Sequence, residues 1–307
     1  MSSVDDRFQT LSDRQWALIE ELLPRSEHVR GPNFQNNRLV VEGILYRLRT
    51  GVPWRDLPAC FGPWQTVWKR QRRYAGDGTW DRILVVLAAI ADDNSALDWA
   101  VSIDSTVVRA HQHAAGARRI DPDDTGGTVE LQGSVRREPA DHGIGRSRGG
   151  LSTKIHAAVE GGGRLMSALL TAGQAGDSPM FAPVLEQICV PRIGPGAPRR
   201  RPDAVLADKA YSSAANRKHL RDRKITAVIP IKDDQALHRH NKGQAGGRPP
   251  NFDAEAYKAR NVVERAFNKA KQWRAIATRY DKLAIVYRAN YLLAAIVEWL
   301  KLLGDRP

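Results

Sequence analysis

Apolar residues recur at helical spacing through the first hundred residues of the chain and predict a series of short helices. Trp16, Ile19 and Leu23 share one side of a helix for which Ser12 can serve as the N-cap. The same reasoning predicts helices over residues 11–23, 36–49, 64–74 and 79–92. Tight turns separate these helices, which is typical of a helix-turn-helix-like module.

Near residue 97 the pattern changes to the two-residue period of strands. Ile155, Ala157 and Val159 alternate with polar residues, and three glycines that follow predict a hairpin turn. The predicted strands cover residues 97–106, 152–160, 165–171, 203–208 and 225–231, with helices over residues 180–188, 213–223, 253–275 and 283–303. This order predicts an α/β fold, in which helices flank a mixed sheet.

The chain length and the two patterns together predict two domains in the 307 residues. A small all-α domain is expected over residues 1–95, and the α/β domain over residues 96–307. Residues 107–150 are rich in arginine and glycine and fit no element, so they are expected to be an insertion, either ordered on a partner or disordered. Residues 233–251 are polar and contain several glycines, which predicts a loop.

The charge of the chain is strongly positive and unevenly distributed. The formal net charge is +13, with 47 basic against 34 acidic residues. Residues 1–100 carry no net charge, residues 101–200 carry +2, and residues 201–307 carry +11. Because the excess lies in a region with strong folding periodicity, it predicts a polyanionic partner bound by a folded surface.

The helix predicted over residues 64–74 separates aromatic from cationic side chains. At about 100° per residue, Trp64, Val67 and Trp68 fall on one face. The opposite face carries Lys69, Arg70, Arg72 and Arg73. A helix of this kind can lie against a DNA backbone, so the four cations are candidate DNA-binding residues. An ordinary amphipathic surface helix would show the same separation.

Several classes of protein are disfavoured by the composition. Cys60 and Cys189 are the two cysteines, too few for a disulfide framework. The longest apolar run covers residues 83–91, about half of what a bilayer span needs. The first residues show neither a basic segment nor an apolar one, so no signal peptide is expected. These observations favour a cytoplasmic protein, associated with the nucleoid, without a membrane partner.

Three acidic residues lie where a buried structural role is not expected. Asp104 is predicted near the end of the first strand, Asp208 at the end of the fourth, and Glu264 within a later helix. Mg²⁺ is a hard cation that prefers carboxylate oxygens and often bridges to phosphate. A pair of such ions can activate an attacking oxygen and stabilise a leaving one, so the three acids are candidate catalytic residues and metal ligands.

The helix that carries Glu264 has a polar stripe beside its apolar face. Tyr257, Arg260, Glu264 and Lys271 fall within about 60° of one another when the helix is projected at 100° per residue. The stripe is consistent with a set of functional side chains acting together. A row of surface salt bridges, each worth a few tenths of a kcal/mol, is the structural alternative.

The spacing of these four residues resembles a known motif. Two, three and six residues separate Tyr257, Arg260, Glu264 and Lys271, as in the third motif of bacterial insertion-sequence DDE transposases, which is defined by Tyr-Arg-Glu-Lys. Residues 104–106 and 208–211 resemble the first and second motifs of that family, in the same order. Residues 145–156 and 52–58 are also similar to the family. One departure is Ala210, where many relatives have glycine.

The resemblance implies a fold, a site and a mechanism. It implies an RNase H-like catalytic domain in which Asp104, Asp208 and Glu264 bind two Mg²⁺ ions, with Mn²⁺ able to substitute. It implies that Tyr257, Arg260 and Lys271 bind DNA near the cleavage site. Water would cleave the phosphodiester at an element end and leave a 3′-OH, which would then attack target DNA. A homodimer that pairs two element ends on double-stranded DNA is expected.

Two alternatives to an active transposase stay open at this point. One is a DNA-binding protein that has lost catalysis, and the other is an RNase H-like nuclease that cleaves without strand transfer. No phosphate-binding loop with the Gly-x4-Gly-Lys-Ser/Thr pattern occurs in the sequence, so no nucleotide cofactor is expected. Because all three acids and the four-residue motif are present, the sequence favours the active enzyme.

Overall fold

Helices precede the first strand, as the apolar spacing predicts. The structure is a computed structural model that describes residues 9–24, 36–117 and 138–305. The N-terminal helices are α1 (Asp13–Ala17), α2 (Asn37–Thr50), α3 (Trp64–Gly76) and α4 (Thr79–Asp93). Ser12 caps α1 through a capping box with Gln15, and Gly51 ends α2 with a φ of 72°. Both are the local signals that start and stop a helix.

The described residues also form seven strands in one mixed sheet. They are β1 (Ala100–Ala110), β2 (Gly145–Ser147), β3 (Gly150–Val159), β4 (Leu165–Ala172), β5 (Ala204–Ala207), β6 (Thr226–Val228) and β7 (Thr278–Arg279). The antiparallel strands β3 and β4 lie on one side of β1, and the parallel strands β5 and β6 lie on the other. The prediction of a mixed sheet flanked by helices is confirmed.

Strand β1 is longer than its predicted end at residue 106, because β3 pairs with it as far as Arg109. Its other edge is covered in two separate places. The pairing with β5 stops at Ile103, and the pairing with β7 begins at Arg109. Residues 104–108 therefore have no strand beside them on that edge among the described residues. We call this five-residue stretch the open edge of β1.

The helices described after β1 are α5 (Gln112–Ala115), α6 (Phe181–Glu186), α7 (Ala214–Asp222), α8 (Asp233–Asn241), α9 (Ala254–Lys258), α10 (Asn261–Lys271), α11 (Arg274–Ala277) and α12 (Ala284–Gly304). They differ from the predicted helices at two places. Helix α8 occupies the predicted loop, and it has no buried residue that would give an apolar period. The single helix predicted over residues 253–275 is instead three helices, because hydrogen bonds between residues three apart tighten the chain around Arg260 and again at Gln272 and Trp273.

The predicted insertion over residues 107–150 also contains ordered elements at its two ends. The last residues of β1, helix α5 and strand β2 all lie inside it. Residues 118–137, with their four arginines, lie outside the described residues, so the prediction for them is not addressed by the structure.

Helix α12 is the centre of the packing. It is buried on almost every side, between β4 and the N-terminal helices α2, α3 and α4. Arg288 on α12 forms an ion pair with Asp81 on α4 at 2.9 Å, and Asn290 accepts a hydrogen bond from Gln71 on α3 at 2.7 Å. The core is thus continuous from the N-terminal helices to the sheet, and the domain boundary near residue 95 stays a prediction. None of the helices described is long and apolar enough to span a bilayer.

Candidate active site

Parallel pairing of β1 with β5 brings two of the predicted acids together. Ile103 pairs with Ala207, and the next residue on each strand is an acid, Asp104 and Asp208. Asp208 ends β5 because its carboxylate accepts a hydrogen bond at 2.9 Å from the backbone N–H of Ala210, which starts a turn of 3-10 helix. Asp104 consequently stands at the first position of the open edge.

Helix α10 contacts the open edge and carries the third acid. Arg260 precedes the first residue of α10, and its guanidinium donates to Asp104 at 2.5 Å and to Glu264 at 2.9 Å. The side chain of Asp104 is 18% exposed and that of Glu264 is 52% exposed. The fold therefore places Asp104 and Glu264 on two sides of one guanidinium, with Asp208 beside Asp104.

The electrostatics of Asp104 are dominated by burial. Burial raises the pKa of Asp104, and the charges of Asp208 and Glu264 raise it further, while the Ser105 N–H and Arg260 act in the opposite direction. Burial alone would lower the pKa of Arg260, but Asp104 and Glu264 raise it overall. Three acids with one guanidinium between them favour the binding of an additional positive charge.

The chemistry of the three acids suits a hard divalent cation, since all of their ligand atoms are carboxylate oxygens. Among the residues that the structure describes, no three acidic, histidine or cysteine side chains close around a single point as metal ligands do. The guanidinium of Arg260 fills the space between Asp104 and Glu264. A metal ion bound to the same oxygens would take the place of that guanidinium.

The two other residues of the polar stripe lie near the same edge. Lys271 donates a hydrogen bond at 2.6 Å to the hydroxyl of Thr106, and burial lowers the pKa of its ammonium group. Tyr257 lies on α9, separated from α10 by the break, with its ring 5.3 Å from that of Phe252. Burial raises the pKa of Tyr257, and the three acids add to the increase. The predicted stripe thus reaches β1 although its helix is interrupted.

The cations predicted on α3 do not form one exposed face. Arg70 is 6% exposed and donates hydrogen bonds to Asn37 and Tyr74, so it is part of the helical core. Its prediction as a DNA-binding residue is corrected for that reason. Lys69 and Arg73 are exposed. Arg72 stacks at 4.9 Å over the ring of Trp68, beside a cavity of about 690 Å³.

Comparison with known proteins identifies the family of the chain. The sequence profile described as “Transposase DDE domain” matches residues 95–299, which is more than half of the chain. The chain belongs to this transposase family. A second profile, described as “Putative transposase of IS4/5 family”, matches residues 11–84. Together the two profiles cover both the N-terminal helices and the sheet of this DDE transposase-family protein.

Individual relatives agree with the family. The “Uncharacterized protein y4sN” of Sinorhizobium fredii is 46% identical over 110 residues, which cover 36% of this chain and 83% of that protein. The “Putative transposase for insertion sequence element IS402” of Burkholderia cepacia is 31% identical over 137 residues, 45% of this chain and 57% of that protein. A solved “Mos1 transposase paired-end complex with left transposon end” aligns over 92% of this chain and 82% of that chain, with a TM-score of 0.25 and 13% identity. A similarity with that TM-score and that identity does not bear on function.

Sequence reasoning missed a group of polar side chains that, in this transposase-family chain, pack against β1 and β3. His156 on β3 was expected on a polar face, yet it is only 1% exposed. One ring nitrogen of His156 bonds to Thr171 at 2.8 Å, while the other has no hydrogen-bond partner and lies 3.9 Å from Asp177. The two-residue period identified which face is polar, but the cover that buries this face comes from distant segments.

The buried His156 predicts a loss of stability in acid. Burial lowers its pKa to about 4, against the opposing effect of Asp177 and in the same direction as Lys154. The folded protein therefore keeps the ring neutral while the unfolded chain protonates it below about pH 6.5, so stability falls as the pH decreases towards 4. The variant His156→Gln is expected to shrink the difference in unfolding free energy between pH 7 and pH 5 by about 2 kcal/mol.

Urea denaturation at the two pH values measures this difference. His219→Gln, on the partly exposed face of α7, is a control that should leave the difference unchanged. An equal pH dependence in wild-type protein and in His156→Gln would show that the ring is not held neutral by the fold.

Proposed function

We propose that this protein is an active DNA transposase of an insertion sequence. It hydrolyses the phosphodiester at an element end to free a 3′-OH, and it then joins that 3′-OH to target DNA. The observation that carries the proposal is that Asp104 lies beside Asp208 at the ends of paired strands and is linked through Arg260 to Glu264. Membership of the DDE transposase family supports it.

The three acids are the proposed catalytic residues and ligands of Mg²⁺, for which Mn²⁺ can substitute. Bound metal ions of this kind activate an attacking oxygen and stabilise a leaving one. No described strand covers residues 104–108 on this edge, so a phosphodiester is proposed to approach Asp104 there, beside Arg260 and Lys271. Glu264 is half exposed, which suits a large substrate such as double-stranded DNA.

The proposed roles of the cations follow from where they are held. Arg260 is partly exposed and lies between two carboxylates, so a guanidinium released by a bound metal ion would stay next to those acids and neutralise phosphate charge there. Lys271 is fixed by Thr106 further along the same edge and can contact a neighbouring phosphate. Tyr257 can stack or donate a hydrogen bond at the end of the row. These three residues with Glu264 form the proposed Tyr-Arg-Glu-Lys motif.

Recognition of the DNA duplex is proposed for a second surface. Lys69, Arg72 and Arg73 on α3 are the candidate backbone contacts of an N-terminal DNA-binding domain over residues 1–95, with catalysis assigned to residues 96–307. Pairing of two element ends requires two active sites, so a homodimer on DNA is proposed. The protein would act on DNA of the nucleoid in the cytoplasm, without a nucleotide cofactor.

Joining of a pre-cut DNA end to a plasmid tests the function directly. The substrate is a labelled duplex that carries the inverted repeat bracketing the gene and ends in a free 3′-OH. With Mg²⁺ or Mn²⁺ we expect covalent joining of that 3′-OH to supercoiled plasmid, and with EDTA we expect none, because carboxylates alone cannot stabilise the leaving oxygen. Sequencing of the junctions should show a short target duplication of constant length.

The same assay separates the alternatives. Cleavage of an uncut end without joining would identify a nuclease, and binding without either reaction would identify a protein that has lost catalysis. A duplex with a scrambled end sequence serves as the substrate control. Joining that persists in EDTA would contradict the metal-dependent mechanism.

A further inference from the structure

A second carboxylate network adjoins Asp104 through the next residue of β1. Ser105 and His156 pair across β1 and β3, and Asp177 lies against them from the segment before α6. Asp177 accepts a hydrogen bond at 2.6 Å from the Ser105 hydroxyl and pairs at 2.9 Å with the ammonium of Lys154. Lys154 is itself fixed by a hydrogen bond at 2.7 Å to the carbonyl of Ala175.

Tyr211 connects this network to the other strand that carries a catalytic acid. It ends the 3-10 turn that Asp208 starts, and its side chain is 1% exposed with the ring 5.7 Å from that of Phe181. Its hydroxyl has no partner in hydrogen-bond geometry. Burial raises the pKa of Tyr211, and the nearby Ser105 hydroxyl opposes that increase. A buried hydroxyl without a hydrogen bond is destabilising.

The geometry points to Asp177 as a positioning residue for the candidate catalytic acids, with Ser105 as the side chain through which it acts. This inference rests on the proposed function, since it concerns the same site. Asp177 fixes Ser105, and the backbone N–H of Ser105 donates to the Asp104 carboxylate at 2.8 Å. One residue therefore links Asp177 to Asp104. Tyr211, which follows Asp208 by three residues, packs beside the same serine.

The chemistry of Asp177 supports a fixed orientation of Ser105. Burial would raise the pKa of Asp177, but Ser105 and Lys154 outweigh it and lower the pKa overall. An ionised carboxylate only accepts hydrogen bonds, so the Ser105 hydroxyl must donate to it. The hydroxyl cannot then rotate freely. This restrains Ser105, whose backbone N–H donates to the Asp104 carboxylate. Supports of metal-binding carboxylates commonly change metal affinity or activity by about 10–100-fold when removed.

Binding of Mn²⁺ to the full-length protein without DNA gives a readout that does not depend on turnover. Asp177→Asn keeps the size of the side chain but removes the charge that pairs with Lys154 and replaces one acceptor oxygen by a donor NH2. We expect the Mn²⁺ dissociation constant, measured by calorimetry or electron paramagnetic resonance, to rise about 10-fold or more. We expect kcat for cleavage to fall by a similar factor, with KM for DNA unchanged.

Two further variants separate positioning from a general loss of stability. Ser105→Ala is expected to reproduce the Mn²⁺ effect, and the double variant with Asp177→Asn should add little to either single change, because both remove one connection. Asp222→Asn, which removes an exposed acid paired with Lys218 on α7, is the matched control and should leave Mn²⁺ binding unchanged.

The outcomes distinguish this inference from the proposed function. Mn²⁺ binding that is equal in wild type, Asp177→Asn, Ser105→Ala and Asp222→Asn would overturn the positioning role while the proposed function stands. Losses of Mn²⁺ affinity that only parallel losses of thermal stability in the two single variants would also overturn it. So would independent effects of the two changes, since their effects should coincide. A wild-type protein that binds no Mn²⁺ and joins no DNA end would overturn the proposed function, and the inference with it.

Discussion

Replacing Asp104 by asparagine is expected to reduce both cleavage and joining by about 1,000-fold or more. Asp104 stands at the start of the open edge, next to Asp208 and bound to Arg260. The amide keeps the shape of the side chain but removes the negative charge that a divalent cation needs. Because the two reactions are assigned to one site, they should fall together, and Asp208→Asn should have the same effect.

Gel assays of end cleavage and of end joining, with circular dichroism of the same samples, measure this prediction. Asp222→Asn is a matched control, an exposed acid of α7 outside the open edge. Loss of charge at Asp104 should leave the folded structure intact, since the asparagine keeps an acceptor oxygen and Arg260 keeps its second partner, Glu264. Wild-type rates in Asp104→Asn would remove Asp104 from the catalytic site.

The parts of the fold that depend on neighbouring residues could be predicted from sequence. Ser12 and Gly51 mark helix ends, and the two-residue period of β3 placed both of its faces. Asp208 could be placed because a short apolar strand leads directly to it. In each case the signal lies within a few residues of the feature that it predicts.

Features that depend on distant segments could not be predicted in this way. Arg70 has the helical position of an exposed cation, but it is buried and donates a hydrogen bond to Asn37 of another helix. Asp177 gains its partners Ser105 and Lys154 only when β1 and β3 pair. Arg260, at the interruption of the helix, gains its partner Asp104 from a strand that lies 156 residues away. Pattern analysis of single segments carries no information about such contacts.

The two-residue strand β7 shows how much of the site depends on one such contact. It pairs with β1 at Arg109 and Ala110 and so closes the far end of the open edge. A strand of two residues has too few hydrogen bonds to be stable by itself. Arg279 in β7 is 0% exposed and donates to the carbonyl oxygens of Asp281 and Lys282 and to the hydroxyl of Thr153. This buried guanidinium ties β7 to β3 and to the start of α12.

Replacing Arg279 by methionine is therefore expected to lower the free energy of unfolding by about 3–5 kcal/mol. Methionine fills much of the same volume but leaves the carbonyl oxygens and the Thr153 hydroxyl buried without a donor. The control is Arg274→Met on the exposed side of α11, for which a change within about 0.5 kcal/mol is expected. Urea denaturation monitored by tryptophan fluorescence measures both variants. Equal stability of the two variants would mean that β7 is held without the Arg279 hydrogen bonds, by the packing of α11 and α12 alone.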